Sequence, residues 1–307
     1  MFIQIAAALL SAVLSGQAAD EVTVTASARS IQPGELVVLT IRTAKPAESV
    51  TVKGLKTHLP PFNVTANTWR VLVGIDLAVK PGHHDVVIET QPGAYKTSYR
   101  LVVAPRRFPT RTLKVDPAFV TPPPEAAERI ERESKELNQV WASPAPEKLW
   151  QGAFTRPVPK PANSAFGSRS VFNGEPRSQH AGADFRSPAG TPIKAPNGGR
   201  VVIAGSRYFS GDTVVIDHGQ GLFSLFAHLS ETSVKQGDSV KKGEVIGQVG
   251  QTGRVTGPHL HWAVRLNGAR IDPLSLLTVL SRLDRAPQKP RGRTQKLSSQ
   301  VPPEGML

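Results

Sequence analysis

The 307-residue sequence contains no cysteine. That excludes disulfides and thiolate-held metals, and leaves any metal to histidine and carboxylate ligands. A chain without thiols suits an oxidising compartment, where there is nothing to misoxidise. Long apolar runs are also missing, apart from Phe2 to Leu14, which is broken only by Gln4 and Ser11. That run is too short to span a bilayer comfortably. Positive charge is scarce near it: before Arg29 the α-amine is the sole cation. Small residues follow at Gly16, Ala18 and Ala19, as a signal peptidase needs, so residues 1–19 are expected to be a cleaved signal peptide. The protein is then exported, to the periplasm or cell envelope or into the medium. Helix-turn-helix patterns, aromatic RNA-binding motifs and zinc-finger spacings are absent, which argues against nucleic acid as a partner.

What the chain has in excess is positive charge. Its formal net charge is +13, and the surplus is concentrated in residues 152–280 and in the tail from Ser281. A basic surface favours anionic partners, among them a cell-wall or membrane face. The length is enough for two modest domains, each with its own core.

Residues 20–104 read as β-structure. Val22, Val24 and Ala26 alternate with polar residues, and Leu36, Val38 and Thr40 within Glu35–Arg42 are read as a second strand alternating in the same way. Further runs lie at Ser49–Val52, Arg70–Leu77, Asp85–Glu89 and Tyr95–Val103, punctuated by Pro33-Gly34, Pro60-Pro61, Pro81-Gly82 and Pro92-Gly93. Short strands at this spacing predict an immunoglobulin-like β-sandwich. Its role is open between spacer, wall binder and a cover that limits access to the rest of the chain. Residues 105–151 form a Pro-rich connector and a helix that begins near Glu125, with Ile130, Leu137 and Trp141 on one apolar face. That face is expected to pack on a neighbouring domain. Residues 152–284 turn to Gly-rich, short-stranded β-structure, with strands expected at Gly199–Ala204, Thr213–Asp217, Leu222–Phe226, Ser239–Val249 and His259–Leu266. Asp272-Pro273 opens a short helix. Residues 285–307 are basic and poor in apolar groups, and read as a disordered tail.

Five of the eight histidines cluster in that last β-rich region: His180, His218, His228, His259 and His261. His180 and Asp184 stand four apart around Gly182 and can converge on one side of a loop and strand. Zinc accepts imidazole nitrogen and carboxylate oxygen at similar distances. In Gly257-Pro258-His259-Leu260-His261-Trp262, residues two apart on a strand share a face. His259 and His261 therefore project together, while Leu260 and Trp262 face a core. Two polar rings side by side are costly without partners, which raises the case for a metal. His228, in Phe226-Ala227-His228-Leu229-Ser230, ends another strand.

His180-x-Gly182-x-Asp184, Ala227-His228-Leu229-Ser230 and Gly257-Pro258-His259-Leu260-His261, in that order, resemble the lysostaphin/LytM-type zinc metallopeptidases that cut peptidoglycan. Phe166-Gly167-x-Arg169, Gly190-Thr191-Pro192, Ile216-x-His218-Gly219-x-Gly221, Val240-x-x-Gly243-x-x-Ile246-Gly247 and Asp272-Pro273 look like the family's strand, turn and domain-end signatures. The resemblance covers about residues 152–280 and implies a mainly antiparallel β-sheet metallopeptidase domain. It implies one zinc per chain on His180, Asp184 and His261, with the fourth position open. It also implies catalytic roles for His259, orienting or deprotonating water, and for His228, stabilising an oxyanion; the two roles could be exchanged or shared. His218 falls on a turn signature and is expected to be structural. Phe226 stands where the family more often has Tyr, which would remove a hydroxyl near the cleft. An upstream Asn blocks the zinc in some relatives, but Asn163 matches too poorly to carry that over. The implied activity is hydrolysis of cross-links or stem peptides of peptidoglycan. A non-catalytic wall-binding or amidase-activating module, and a zinc endopeptidase acting on proteins, are the alternatives. Some relatives reach the first by losing ligands, and this chain has lost none.

Overall fold

The computed structural model describes residues 22–91, 95–114, 116–117, 120–162, 166–284 and 294–295. The expected signal peptide, the Pro92-Gly93 turn, Asn163 and most of the expected tail lie outside these residues. The N-terminal unit contains β1 (Thr23–Ala28), β2 (Leu36–Arg42), β3 (Ser49–Gly54), β4 (Thr57–His58), β5 (Pro61–Thr65), β6 (Thr68–Gly74), β7 (Gly82–Gln91) and β8 (Tyr95–Val103). Strands β1, β2, β6 and β5 form one antiparallel sheet, and β4, β3, β7 and β8 form another. Alternate residues of both sheets meet in one core, including Val37, Leu39 and Ile41 against Val52, Ile88 and Leu101.

Strand β2 departs from the alternation expected of it. Its first six residues are all buried. Val37, Leu39 and Ile41 enter the core between the two sheets, whereas Leu36 and Val38, on the opposite face, join the core of the C-terminal unit. A strand covered on both faces is apolar throughout, and the run Leu36-Val37-Val38-Leu39 is the trace of that.

The connector is more structured than an extended linker. It contains β9 (Thr110–Leu113), then α1 (Ala127–Ala142) after a short 3-10 turn. Strand β9 pairs in parallel with β10 (Arg169–Phe172), which pairs antiparallel with β11 (Glu175–Gln179). The β10–β11 turn is Asn173-Gly174, both at positive φ (51° and 90°), the backbone that a two-residue hairpin demands.

The C-terminal unit adds β12 (Gly182–Phe185), β13 (Pro192–Lys194), β14 (Gly199–Arg207), β15 (Gly211–Asp217), β16 (Leu222–Thr232), β17 (Ser239–Val240), β18 (Val245–Val249), β19 (Leu260–Leu266), β20 (Ala269–Ile271) and α2 (Pro273–Asp284). Its nine-stranded sheet has the central order β12-β19-β16-β15-β14-β17. The single strand expected at Ser239–Val249 is divided, because residues 241–244 form a turn. One face of the sheet carries the main core, with Phe185, Ile216, Phe226, Trp262 and Val264. Ile203, Val215 and Phe223 form a smaller cluster under Leu137, Val140 and Trp141 of α1. The apolar face of the helix therefore packs on this sheet, with Trp141 edge-on to Phe223 at 5.1 Å. A final strand, β21 (Thr294–Gln295), pairs with β1, so two residues of the expected disordered tail are ordered.

The two units are bonded to each other. Glu35 is buried and accepts from Arg29 (2.6 Å), Arg106 (3.0 Å) and Ser275 (2.8 Å), while Arg29 also pairs with Asp272 at 2.6 Å. Asp76 of the N-terminal unit takes two hydrogen bonds from the Arg270 guanidinium, at 2.7 and 2.9 Å.

Candidate active site

The site is built on the β12–β19 pair. Asp184 stands opposite His261, and Ala183 stands opposite Trp262. Side chains alternate across a strand, so the first pair projects from one face while Ala183 and Trp262 enter the core. His180 reaches the same point from just beyond β11, held by backbone bonds to Ser168 and Gly167. Gly182 is required there: a Cβ on it would lie 2.6 Å from the His261 ring and from the Trp262 carbonyl.

The three side chains converge. His180 Nε2 is 3.0 Å from Asp184 Oδ1, His261 Nδ1 is 2.9 Å from the same oxygen, and the two nitrogens are 3.1 Å apart. Bonds near 2 Å to one tetrahedral ion would set its ligand atoms about 3.3 Å apart, close to this spacing. The donor set also calls for a cation. If both rings donate to Oδ1, the facing nitrogens have no proton to share, and an ion at the centre satisfies all three atoms. Burial alone would raise the Asp184 pKa, but hydrogen bonds from His180 and His261, with the nearby charge of those rings, hold it well below the usual carboxylate range. Burial pushes His261 down, against the pull of Asp184. Both shifts keep the atoms in the states that bind a metal.

His228 and His259 flank this group, with ring centroids 4.9 Å apart. His228 Nδ1 donates to the Thr252 carbonyl at 2.9 Å, and His259 Nδ1 donates to the Gly257 carbonyl at 2.8 Å. Carbonyls only accept, so each neutral ring carries its proton on Nδ1 and leaves Nε2 as a lone pair. His259 Nε2 is 3.9 Å from Asp184 Oδ1. His228 lies further into the chain, and burial, then neighbouring His261 and His259, push it down to about 3. Its backbone is unusual, with φ at 68°, where the β15–β16 ladder slips register.

All five residues expected at the site are therefore brought together, and His218 is kept apart. That ring is fully buried beside Phe154, bonded to the Gly198 carbonyl (2.7 Å) and Ser224 Oγ (2.9 Å), and burial pushes it down to about 4. Phe226 does not border the cleft as expected. Its ring lies parallel to Trp262 in the core, on the opposite face from Ala227 and His261, so a hydroxyl there would point away from the site.

Two residues near the site were not foreseen. Thr252 fixes the loop that carries its carbonyl, donating to the Leu229 carbonyl (2.7 Å) and accepting from the Asp212 amide (2.8 Å). Its trace in the sequence is the following Gly253, at φ 72°, where a Cβ would meet the Gly211 backbone. Arg111, from β9, places Nη1 3.6 Å from Asp184 Oδ2, and no sequence pattern announces it.

Residues 178–273 match peptidase family M23. The chain is 46% identical over 97 residues to the DD-carboxypeptidase/endopeptidase Mpg of Neisseria meningitidis serogroup B, covering 32% of this chain and 22% of that protein. It is 41% identical over 95 residues to the peptidoglycan DD-endopeptidase ShyA of Vibrio cholerae serotype O1, covering 31% and 22%. The chain thus spans about a fifth of the length of these curated relatives. A structure described as an M23 peptidase from Pseudomonas aeruginosa is similar at 34% identity and a TM-score of 0.64, over 81% of this chain and 95% of that one.

Proposed function

The chain belongs to peptidase family M23, and on that premise we propose that it is a zinc endopeptidase that hydrolyses peptide bonds in bacterial peptidoglycan. One observation carries the reading: three ligand-competent atoms of His180, Asp184 and His261 meet within 3.1 Å of one another, beside two histidines whose free nitrogens are set by backbone carbonyls. The names of the curated relatives support peptidoglycan as the substrate. Export follows from that substrate and from the apolar leader. No helix among the described residues is long and apolar enough to cross a membrane. The antiparallel sheets of residues 22–103 and their common core support an immunoglobulin-like sandwich ahead of a connector (105–151) and a metallopeptidase domain (152–284).

In this reading His180, Asp184 and His261 hold zinc. When bound, the ion supplies a Lewis acid for the scissile carbonyl and acidifies an attacking water. His259, whose Nε2 lies 3.9 Å from Asp184 Oδ1, would accept the proton of an attacking water. His228 starts neutral, since a buried ring next to two others cannot hold charge cheaply. It therefore offers a lone pair first, and would donate to an oxyanion or to the leaving amine only after receiving the proton that the neighbouring His259 takes from water. Thr252 and Gly257 keep both rings in the tautomer this requires.

The test is digestion of purified peptidoglycan followed by mass spectrometry of the fragments. The protein should carry about one zinc and release cross-linked stem fragments with new peptide termini, which identify the bond. Asp184→Ala should lose both the metal and the release. Full zinc with unchanged activity in that variant would overturn the ligand assignment.

A further inference from the structure

We infer that Arg111, supplied by the connector, is a positioning residue for the metal-binding carboxylate of Asp184. The inference rests on the metal-site reading above. Asp184 has two oxygens with different surroundings. Oδ1 faces His180 and His261, whereas Oδ2 faces Arg111 Nη1 at 3.6 Å. The same guanidinium uses Nε on the Ser170 hydroxyl, at 3.4 Å. Arg111 sits opposite Ser170 in the parallel β9–β10 register, so the strand pairing fixes where the fork stands. Arg111 and Ser170 both lie outside residues 178–273, the segment that matches the family. The match therefore does not account for them.

The chemistry follows from the shape of a carboxylate. Asp184 can turn about its last bond and offer one oxygen or both. A charge on Oδ2 favours the rotamer in which Oδ1 alone enters the ligand cluster, which leaves a coordination position open for water and substrate. Asp184 is also mostly buried, and a buried carboxylate needs charge partners. Arg111 repels a dication as well as attracting the carboxylate. The carboxylate lies between the two, however, and the guanidinium is nearly a third exposed (31%), so solvent screens the repulsion. Lysine would not replace it, because a single ammonium cannot hold Ser170 and Asp184 with the same planar fork.

The experiment is zinc titration of the full-length protein against a chelator of known affinity, with kcat and KM measured on a soluble muropeptide. Arg111→Gln should weaken zinc binding by about 10–100-fold, the usual loss when a partner of a ligand is removed. At saturating zinc, kcat should fall while KM stays within about twofold. Arg111→Lys should recover part of the affinity, and Ser170→Ala should weaken it in the same direction by less. Circular dichroism and thermal melting separate these effects from failure to fold; if Arg111→Gln does not fold, Arg111→Lys and Ser170→Ala decide the matter. Zinc affinity equal to or tighter than wild type in the folded variants overturns the inference. So does a rise in KM with zinc binding unchanged, which would make Arg111 a substrate contact. So does a gain in activity, which would make the connector an obstruction of the cleft. If the unaltered protein holds no stoichiometric zinc, it is the metal-site reading that fails.

Discussion

His218 and His228 have much in common as residues: both are buried, both donate from Nδ1 to a backbone carbonyl, and burial lowers the pKa of both. They differ in the second ring nitrogen. His218 Nε2 meets Ser224 Oγ, whereas His228 turns towards His259 and His261. His218→Ala should therefore strand polar partners in the core and destabilise the fold by about 1–3 kcal/mol, while zinc content stays at one per chain. Urea unfolding and metal analysis would check this. His228→Ala and His259→Ala should do the reverse, keeping the metal and losing about 10²–10⁴ in kcat. Of the five residues brought together, His259 and His261 were legible as a pair from strand alternation, whereas His180, Asp184 and His228 stood out through the resemblance of their motifs to a known family. The supporting groups were less legible. Thr252 acts through its backbone, with only the following Gly253 as a trace, and Arg111 acts through a strand pairing that leaves no pattern in residue types.

At the scale of elements, the pairing of β12 with β19 depends on a residue that contributes no side chain. Gly182→Ala would drive a methyl into the His261 ring and the Trp262 carbonyl. It should lower both zinc affinity and the melting temperature, and a melting curve with and without chelator would separate the two losses. Helix α1 makes a different kind of contact. Trp141→Ala removes an edge-on contact with Phe223 and should cost about 2 kcal/mol, less than the roughly 3–5 for a fully buried aromatic because Trp141 is only partly buried, with kcat unaffected. The helix, α2 and most of the strands were readable from periodicity and turn residues. Strand β2 was misread because its alternation is hidden by burial on both sides. Strand β9 was missed because a Pro-rich composition reads as extended chain, and extended chain pairs when an open edge is near. The β10–β11 hairpin was overlooked despite Asn173-Gly174, the one local signal that would have found it.

At the scale of the whole molecule, the two units are joined by charge pairs that respond to acid. Arg270 hydrogen bonds outweigh burial and hold Asp76 at about 2, below its ordinary 3.8. A depressed carboxylate stabilises above its ordinary pKa and loses that contribution as pH falls from about 4 towards 2. Asp76→Asn should therefore be less stable than the unaltered protein at pH 7, by about 1–2 kcal/mol after solvent screening. The difference should shrink below pH 4 and vanish only below pH 2 in parallel urea titrations. Composition divided the chain into two domains, but it could not show that Leu36, Val38 and Leu72 of one are part of the core of the other. That shared core bears on how the protein would respond to proteolysis. A protease that cuts the connector near residues 114–121 would sever the backbone between the units without parting them. The two fragments should co-migrate on gel filtration until denaturant is added, and the nicked protein should keep its zinc, because Arg111 and Asp184 would still face each other across the break.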